Sequence, residues 1–272
     1  MPTVRVGGIE LDYERSSPTS DRSRPPLLLI MGMSGTALHW GEPFLELLRR
    51  DFDVIAYDHR GVGASTHLER PITIAQLAED ASGLLSALKL DSAHVLGISM
   101  GGMVAQELAL AHPDQVRTLT LGATYCGGPH SAQPDPAVMR GLAAAMMSGD
   151  RARALRSGWE ANVSRTMVDD VDAYAAFLAI ADRRAVAVPV VMAQLQACAA
   201  HDTSSRLGEL TAPTLVIHGS EDQMLPVENG RQIASLIGGS KLEIFDGVGH
   251  LFFWEQPERA AELLRAHAAV PA

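Results

Sequence analysis

Cysteine is scarce: only Cys126 and Cys198 occur in 272 residues. A disulfide framework is therefore not the source of stability. A chain of this length can bury most of its unfolded surface around its own core without one. Two cysteines could pair if they met in space, but free thiols in a reducing cytosol are the better expectation. No Cys, His and Asp cluster has metal-ligand spacing, so no metal is expected. Long apolar runs are also missing. Leu27–Met31, the longest early one, is far too short to span a bilayer, and the opening Met1–Val6 is too polar for the apolar core of a secretory leader. These absences together predict a cytoplasmic protein with no membrane association. Basic charge is in deficit, with 22 Lys and Arg against 32 Asp and Glu and a formal net charge of −10. Nucleic acid and anionic membrane surfaces both need clustered Lys and Arg, so neither is an expected partner. Internal repeats and low-complexity tracts are absent as well.

What is present is an ordinary globular balance, 47% hydrophobic and 20% charged. Residues 4–13 alternate apolar and polar around Gly7-Gly8 and predict a β-hairpin. Ser16 to Pro26 is rich in Ser, Pro and charge and predicts a loop. Continuous apolar runs then recur at 27–31, 54–57, 94–98, 116–121, 214–218 and 242–245, as expected of strands buried on both faces. Helical periodicity fills most gaps, at about 41–50, 73–89, 100–112, 226–237 and 256–268. This alternation predicts an α/β fold with a mostly parallel central sheet and helices on both faces. Residues 125–208 break the pattern. They carry no convincing strand, and Ala-rich helical segments fall around 137–147, 151–163, 170–183 and 187–200. A structureless loop that long is improbable. The reading is a core domain of residues 1–124 and 209–272, with a helical cap at 125–208 inserted between core strands.

The sharpest motif is Gly97-Ile98-Ser99-Met100-Gly101, where an apolar strand runs straight into a helix pattern. A strand that turns this sharply brings its neighbours close, so a side chain at Gly97 or Gly101 would clash. The serine at the apex projects its oxygen from a strained backbone at a helix N-terminus, and the N–H of Met100 can face an oxyanion formed beside it. A serine hydroxyl needs a base within hydrogen-bond reach. His250, in the loop Asp246-Gly247-Val248-Gly249-His250 after the last strand, is the strongest of ten histidines, because catalytic groups collect at the carboxyl ends of parallel strands. His94 and His218 sit in strand runs and read as core residues, and His112 and His267 as residues near helix C-termini. His39, His67 and His130 read as loop or surface residues. His201, where the insertion rejoins the core, is expected at the surface, with an approach to the cleft as the alternative. The imidazole needs a carboxylate to fix its tautomer. Asp222, in the loop after the 214–218 strand, is preferred over Glu221, read as a solvated loop charge, and over Asp246, read as a turn residue. The second oxyanion donor is assigned to the N–H of Met33, in the loop Met31-Gly32-Met33-Ser34-Gly35.

With these motifs, and with Asp58-His59-Arg60-Gly61-Val62-Gly63-Ala64-Ser65 after the next strand, the chain resembles the α/β-hydrolase fold superfamily over nearly its whole length. The stretches from Gly97 to Ala109 and from Pro213 to Glu255 look most like its enol-lactonase and small esterase branch, and methyl-ester hydrolases of polyketide pathways are similar too. One departure is Met31-Gly32, where the family commonly has His-Gly. The resemblance implies a Ser99, Asp222, His250 triad in the family's chain order. It implies cleavage of an ester or lactone of a small molecule through an acyl-enzyme, with no cofactor and a monomer or homodimer as the working unit. The same triad could instead cleave a carbon–carbon bond, transfer an acyl group or form peracids, or the fold could serve as a small-molecule receptor. An apolar pocket is expected from Met33, Met100 and Met103 and from an insertion rich in Ala, Val and Met. Trp159, Tyr174 and Phe177 are read as packing the insertion's helices.

Overall fold

The computed structural model describes residues 2–17, 23–68 and 71–270; part of the loop expected at 16–26 lies outside them. The hairpin pairs β1 (Thr3–Val6) with β2 (Ile9–Arg15). β3 (Pro26–Ile30), β4 (Asp53–Tyr57), β5 (Ala93–Ile98), β6 (Val116–Gly122), β7 (Thr214–Gly219) and β8 (Lys241–Phe245) complete an eight-stranded sheet in the order β1-β2-β4-β3-β5-β6-β7-β8. β2 runs antiparallel to β4, and every pairing from β4 to β8 is parallel.

The chain steps from β3 to β4 in one direction and then crosses back to β5 in the other. Right-handed crossovers therefore place the intervening helices on opposite faces. α1 (Glu42–Leu48) covers one face, and α2 (Ile74–Ala87) and α3 (Met100–Ala111) cover the other. β3, β4 and β5 are buried along their whole length, and their side chains alternate between two cores. Leu28, Ile30, Ile55 and Val95 meet Leu77, Leu84, Val104 and Leu108 on the α2–α3 side. Leu27, Leu29, Val54 and Leu96 meet Phe44, Leu48, Phe253 and Leu264 on the other.

Four helices lie between β6 and β7: α4 (Pro136–Met147), α5 (Arg151–Asn162), α6 (Val171–Arg183) and α7 (Val188–Ala199). Three of them start where an aspartate supplies an acceptor for an orphan N–H of the first turn. Asp135 accepts from Ala137, Asp150 from Arg153 and Asp170 from Ala173, at 2.7, 3.1 and 2.9 Å. After β7 come α8 (Glu228–Leu236), then, past β8, the single turn α9 (Phe252–Glu255) and α10 (Pro257–Ala268). No helix of the described residues is long and apolar enough to cross a membrane. Cys126 and Cys198 are buried free thiols, and burial pushes them up to about 11 and about 12.

The insertion is tied to the sheet by charge as well as by packing. Arg184, just past α6, bridges Asp12 on β2 and Asp58 after β4, the latter at 2.6 Å, and both carboxylates are fully buried. Burial raises the Asp58 carboxyl, an effect offset by the N–H of Ala37 and by the Arg184 guanidinium. Removing one member of such a group leaves buried charge uncompensated. Arg184→Met is thus expected to lose on the order of 3–5 kcal/mol in urea unfolding, part of it restored by adding Asp58→Asn. A loss within experimental error would show that this arginine does not hold the fold.

Candidate active site

The turn from β5 into α3 forces Ser99 to φ 57° and ψ −123°, a region that residues with a side chain rarely occupy. Its neighbours hold it there. The Ser99 N–H donates to the Gly122 carbonyl on β6 (3.0 Å), and its carbonyl accepts from the Thr124 hydroxyl (2.7 Å) and the Gly102 N–H (2.9 Å). The tightness expected at the flanking glycines is present: a Cβ on Gly101 would lie 2.0 Å from the Ile30 carbonyl oxygen, and one on Gly97 2.1 Å from the Gly101 oxygen. Met100 is the first residue of α3, so its N–H has no intrahelical acceptor.

The loop after β3 runs alongside the serine. A Cβ on Gly32 would sit 3.1 Å from the Ser99 Cβ and 3.6 Å from its Oγ. His59 Nε2 donates to the Met31 carbonyl at 2.9 Å, anchoring the loop from outside. The Met33 N–H finds no acceptor among the described residues. Next in the chain, Ser34 takes a left-handed φ of 58°, and its N–H donates to Gln194 Oε1 of α7 at 2.9 Å.

Asp222 and His250 follow β7 and β8 at the same carboxyl edge of the sheet. His250 Nδ1 lies 2.7 Å from Asp222 Oδ2. A carboxylate only accepts, so Nδ1 carries a proton, and in the neutral imidazole Nε2 is the nitrogen with the lone pair. The other oxygen of Asp222 accepts from the N–H groups of Met224 and Leu225, both at 2.9 Å. His218 Nε2, whose N–H donates to the Leu225 carbonyl at 2.7 Å, also lies 3.2 Å from Oδ2. Burial alone would raise the Asp222 carboxyl, but His250 and His218 together hold it well below the usual carboxylate range.

Several side chains at this edge were not foreseen. His218, read as a core residue, is buried but also orients the carboxylate. Thr124 caps the Ser99 carbonyl. Glu255 of α9 accepts from Gly249 N–H, next to His250, and from Ser164 N–H of the insertion, both at 2.9 Å. Glu221 is not merely solvated; it pairs with Arg165 of the insertion at 2.8 Å. His201, expected at the surface, is buried against Thr203 and Gln106, and burial lowers it to about 4. His39, in the short turn Ala37–Trp40 of a connecting segment, is half-buried; it packs against Phe177, and burial lowers it to about 4. Met100 and Met103 fill the core rather than a pocket, while Met33 is only partly buried. Trp159, Tyr174 and Phe177 do pack on one another, and Trp159 and Phe177 also pack on Trp254 of the core. Among the described residues, no group of three or more His, Cys, Asp or Glu could hold a metal ion.

Residues 25–257 match the family described as the alpha/beta hydrolase fold. The chain belongs to that family. Within it, a protein of Variovorax paradoxus (strain S110) named "Putative carbamate hydrolase RutD" is 31% identical over 247 residues, covering 88% of this chain and 89% of that one. The solved esterase RhEst1 from Rhodococcus sp. ECU1013 superposes with a TM-score of 0.83 at 25% identity, covering 99% and 98% of the two chains. The enol-lactonase from Burkholderia xenovorans LB400 superposes equally well, TM-score 0.83 over 99% and 100%; at 24% identity that likeness speaks for the shared fold alone.

The Asp222 environment carries a pH signature. Its folded carboxyl is held below the unfolded value of about 3.9, so the ionised form stabilises the fold above that pH and the contribution is lost as pH falls through and below it. In urea unfolding, the native protein's advantage over Asp222→Asn should shrink as pH falls from about 5 towards about 3. An advantage that stays constant down to pH 3 would contradict a depressed Asp222.

Proposed function

We propose that this alpha/beta hydrolase is a serine hydrolase of small carboxylic esters or lactones, with Ser99 as nucleophile, His250 as base and Asp222 as the orienting acid. The observation that carries the reading is the His250–Asp222 hydrogen bond of 2.7 Å. In the neutral imidazole it leaves Nε2 as the nitrogen with a lone pair, at the carboxyl edge of the sheet where the strained Ser99 also stands. His250 Nε2 takes the Ser99 proton as Oγ attacks the carbonyl carbon, and the imidazolium is balanced by Asp222. The N–H groups of Met33 and Met100 receive the oxyanion, a contribution of about 3 kcal/mol per donor in other enzymes. The tetrahedral intermediate collapses as His250 gives its proton to the leaving alcohol. Water, deprotonated by His250, then attacks the acyl-enzyme and returns the acid and free Ser99. Four helices between β6 and β7 form the cap over this edge in the proposal, with the core on either side of them in sequence.

The esterase superposition supports an ester as the bond cleaved. Carbamate cleavage is the second reading, favoured by the printed name of the relative at 31% identity; the same attack would release carbamic acid or its breakdown products. Both predict hydrolysis of p-nitrophenyl acetate and butyrate that falls by at least about a thousandfold in Ser99→Ala. On the acid side the rate should fall with one protonation, that of the base, because Asp222 stays ionised throughout. Ammonia release from ethyl carbamate, faster than hydrolysis of ethyl acetate, would decide for the carbamate. Full activity in Ser99→Ala would sink both readings. Labelling of Ser99 by a fluorophosphonate, with no turnover on any ester or carbamate, would point to a receptor.

A further inference from the structure

Gln194 of α7 is fully buried, and its carboxamide is oriented without ambiguity. Ser34 N–H can only donate, so the atom 2.9 Å from it must be the carbonyl oxygen Oε1. The amino group Nε2 then points elsewhere. It is buried and has no acceptor among the described residues. Leaving a buried amide donor unmade costs its full desolvation, which makes this a poor choice for a purely structural residue. Three other buried donors share that condition, the Tyr57 hydroxyl beside His59 among them, but none of these belongs to a residue bonded to the loop after β3. Trp40 Nε1 sits among Phe44 and Phe253, and Arg15 Nη1 belongs to a guanidinium already paired with Asp53.

The place of Gln194 is what distinguishes it. Its oxygen holds a left-handed residue of the loop whose Gly32 lies against Ser99 and whose Met33 N–H is free. The carboxamide thus sits between an insertion helix and the main chain flanking the nucleophile. We propose that Gln194 Nε2 donates to an acceptor oxygen of the bound substrate other than the scissile carbonyl. The insertion thereby selects small acyl compounds that carry such an oxygen near the reacting centre. This rests on the serine-hydrolase reading above. A site built around a hydrogen bond discriminates against an analogue lacking the acceptor, because its own buried group is then left unpaired. Gln194 is in this sense a specificity-determining residue, and its hold on Ser34 is a separate, positioning role.

The two roles separate experimentally with substrates that differ by one atom. p-Nitrophenyl methoxyacetate carries an ether oxygen where p-nitrophenyl butyrate has a methylene. p-Nitrophenyl levulinate against the pentanoate places a ketone one bond further out. The readout is the ratio of kcat/KM within each pair, compared between the native protein and two variants, so that intrinsic ester reactivity cancels. Gln194→Met removes donor and acceptor. Gln194→Glu keeps an acceptor for Ser34 N–H. Losing the grip on Ser34 slows both members of a pair alike, whereas losing the donor slows only the oxygen-bearing one. The expected result is a fall of about tenfold in the ratio for at least one pair in either variant, the size of one neutral hydrogen bond. Ratios unchanged in both pairs, in every variant that folds, overturn the proposal. Ser99→Ala is assayed alongside: if it is inactive while the ratios stay fixed, only the Gln194 assignment fails, and if it keeps full activity the serine reading itself fails.

Discussion

Helix α3 starts so close to the carboxyl end of β3 that no atom larger than hydrogen fits between Gly101 and the Ile30 carbonyl. That approach fixes the turn at Ser99, since the chain must leave β5 and enter the helix within a single residue. It also fixes where the loop after β3 can run, which is why Gly32 lies against the serine side chain. The strain at Ser99 is tolerated because the hydrogen bonds of both its peptide groups are made by neighbours that are themselves rigid, a strand carbonyl and a threonine hydroxyl. Unpaired N–H groups at Met33 and Met100 are then a by-product of packing and need no dedicated residue.

Charge at this edge obeys a second constraint. A carboxylate with no solvent contact keeps its ionised form only if every lone pair finds a donor. Asp222 approaches that condition with two main-chain N–H groups from its own loop, the His250 Nδ1–H, and the His218 ring 3.2 Å away. The geometry that orients His250 is therefore inseparable from the packing of His218 beneath it, where a Cβ on Gly230 of α8 would come within 2.8 Å of the His218 ring nitrogen.

Most of the fold was legible because its signals are local. Buried parallel strands read as unbroken apolar runs, helices as a period near 3.6, and an elbow as glycines around a serine. The single turn α9 was invisible to periodicity, having only four residues. What stayed hidden at the site were polar contacts made across great sequence separations. Gln194 meets Ser34 160 residues away, Glu255 meets Ser164 across 91, and Arg184 meets Asp12 across 172. No pattern along one sequence encodes such pairs. His201 was misplaced for a related reason. A histidine in a connecting segment looks polar locally, and only its packing against Gln106 and Thr203 decides that it is covered.

The attachments of the insertion differ in kind. Arg184 and Arg165 grip carboxylates, but Glu255 and Gln194 take hold of main-chain N–H groups, at Gly249, Ser164 and Ser34. A peptide group is present whatever side chain the residue bears. Ser164 and Ser34 can therefore be replaced without dissolving these joints, so long as the backbone path is kept, whereas Gln194, Arg184 and Arg165 hold by their own side chains. The segment between β6 and β7 is thus registered to the edge through a few fixed positions, and the rest of its helices can vary what they enclose without touching these joints.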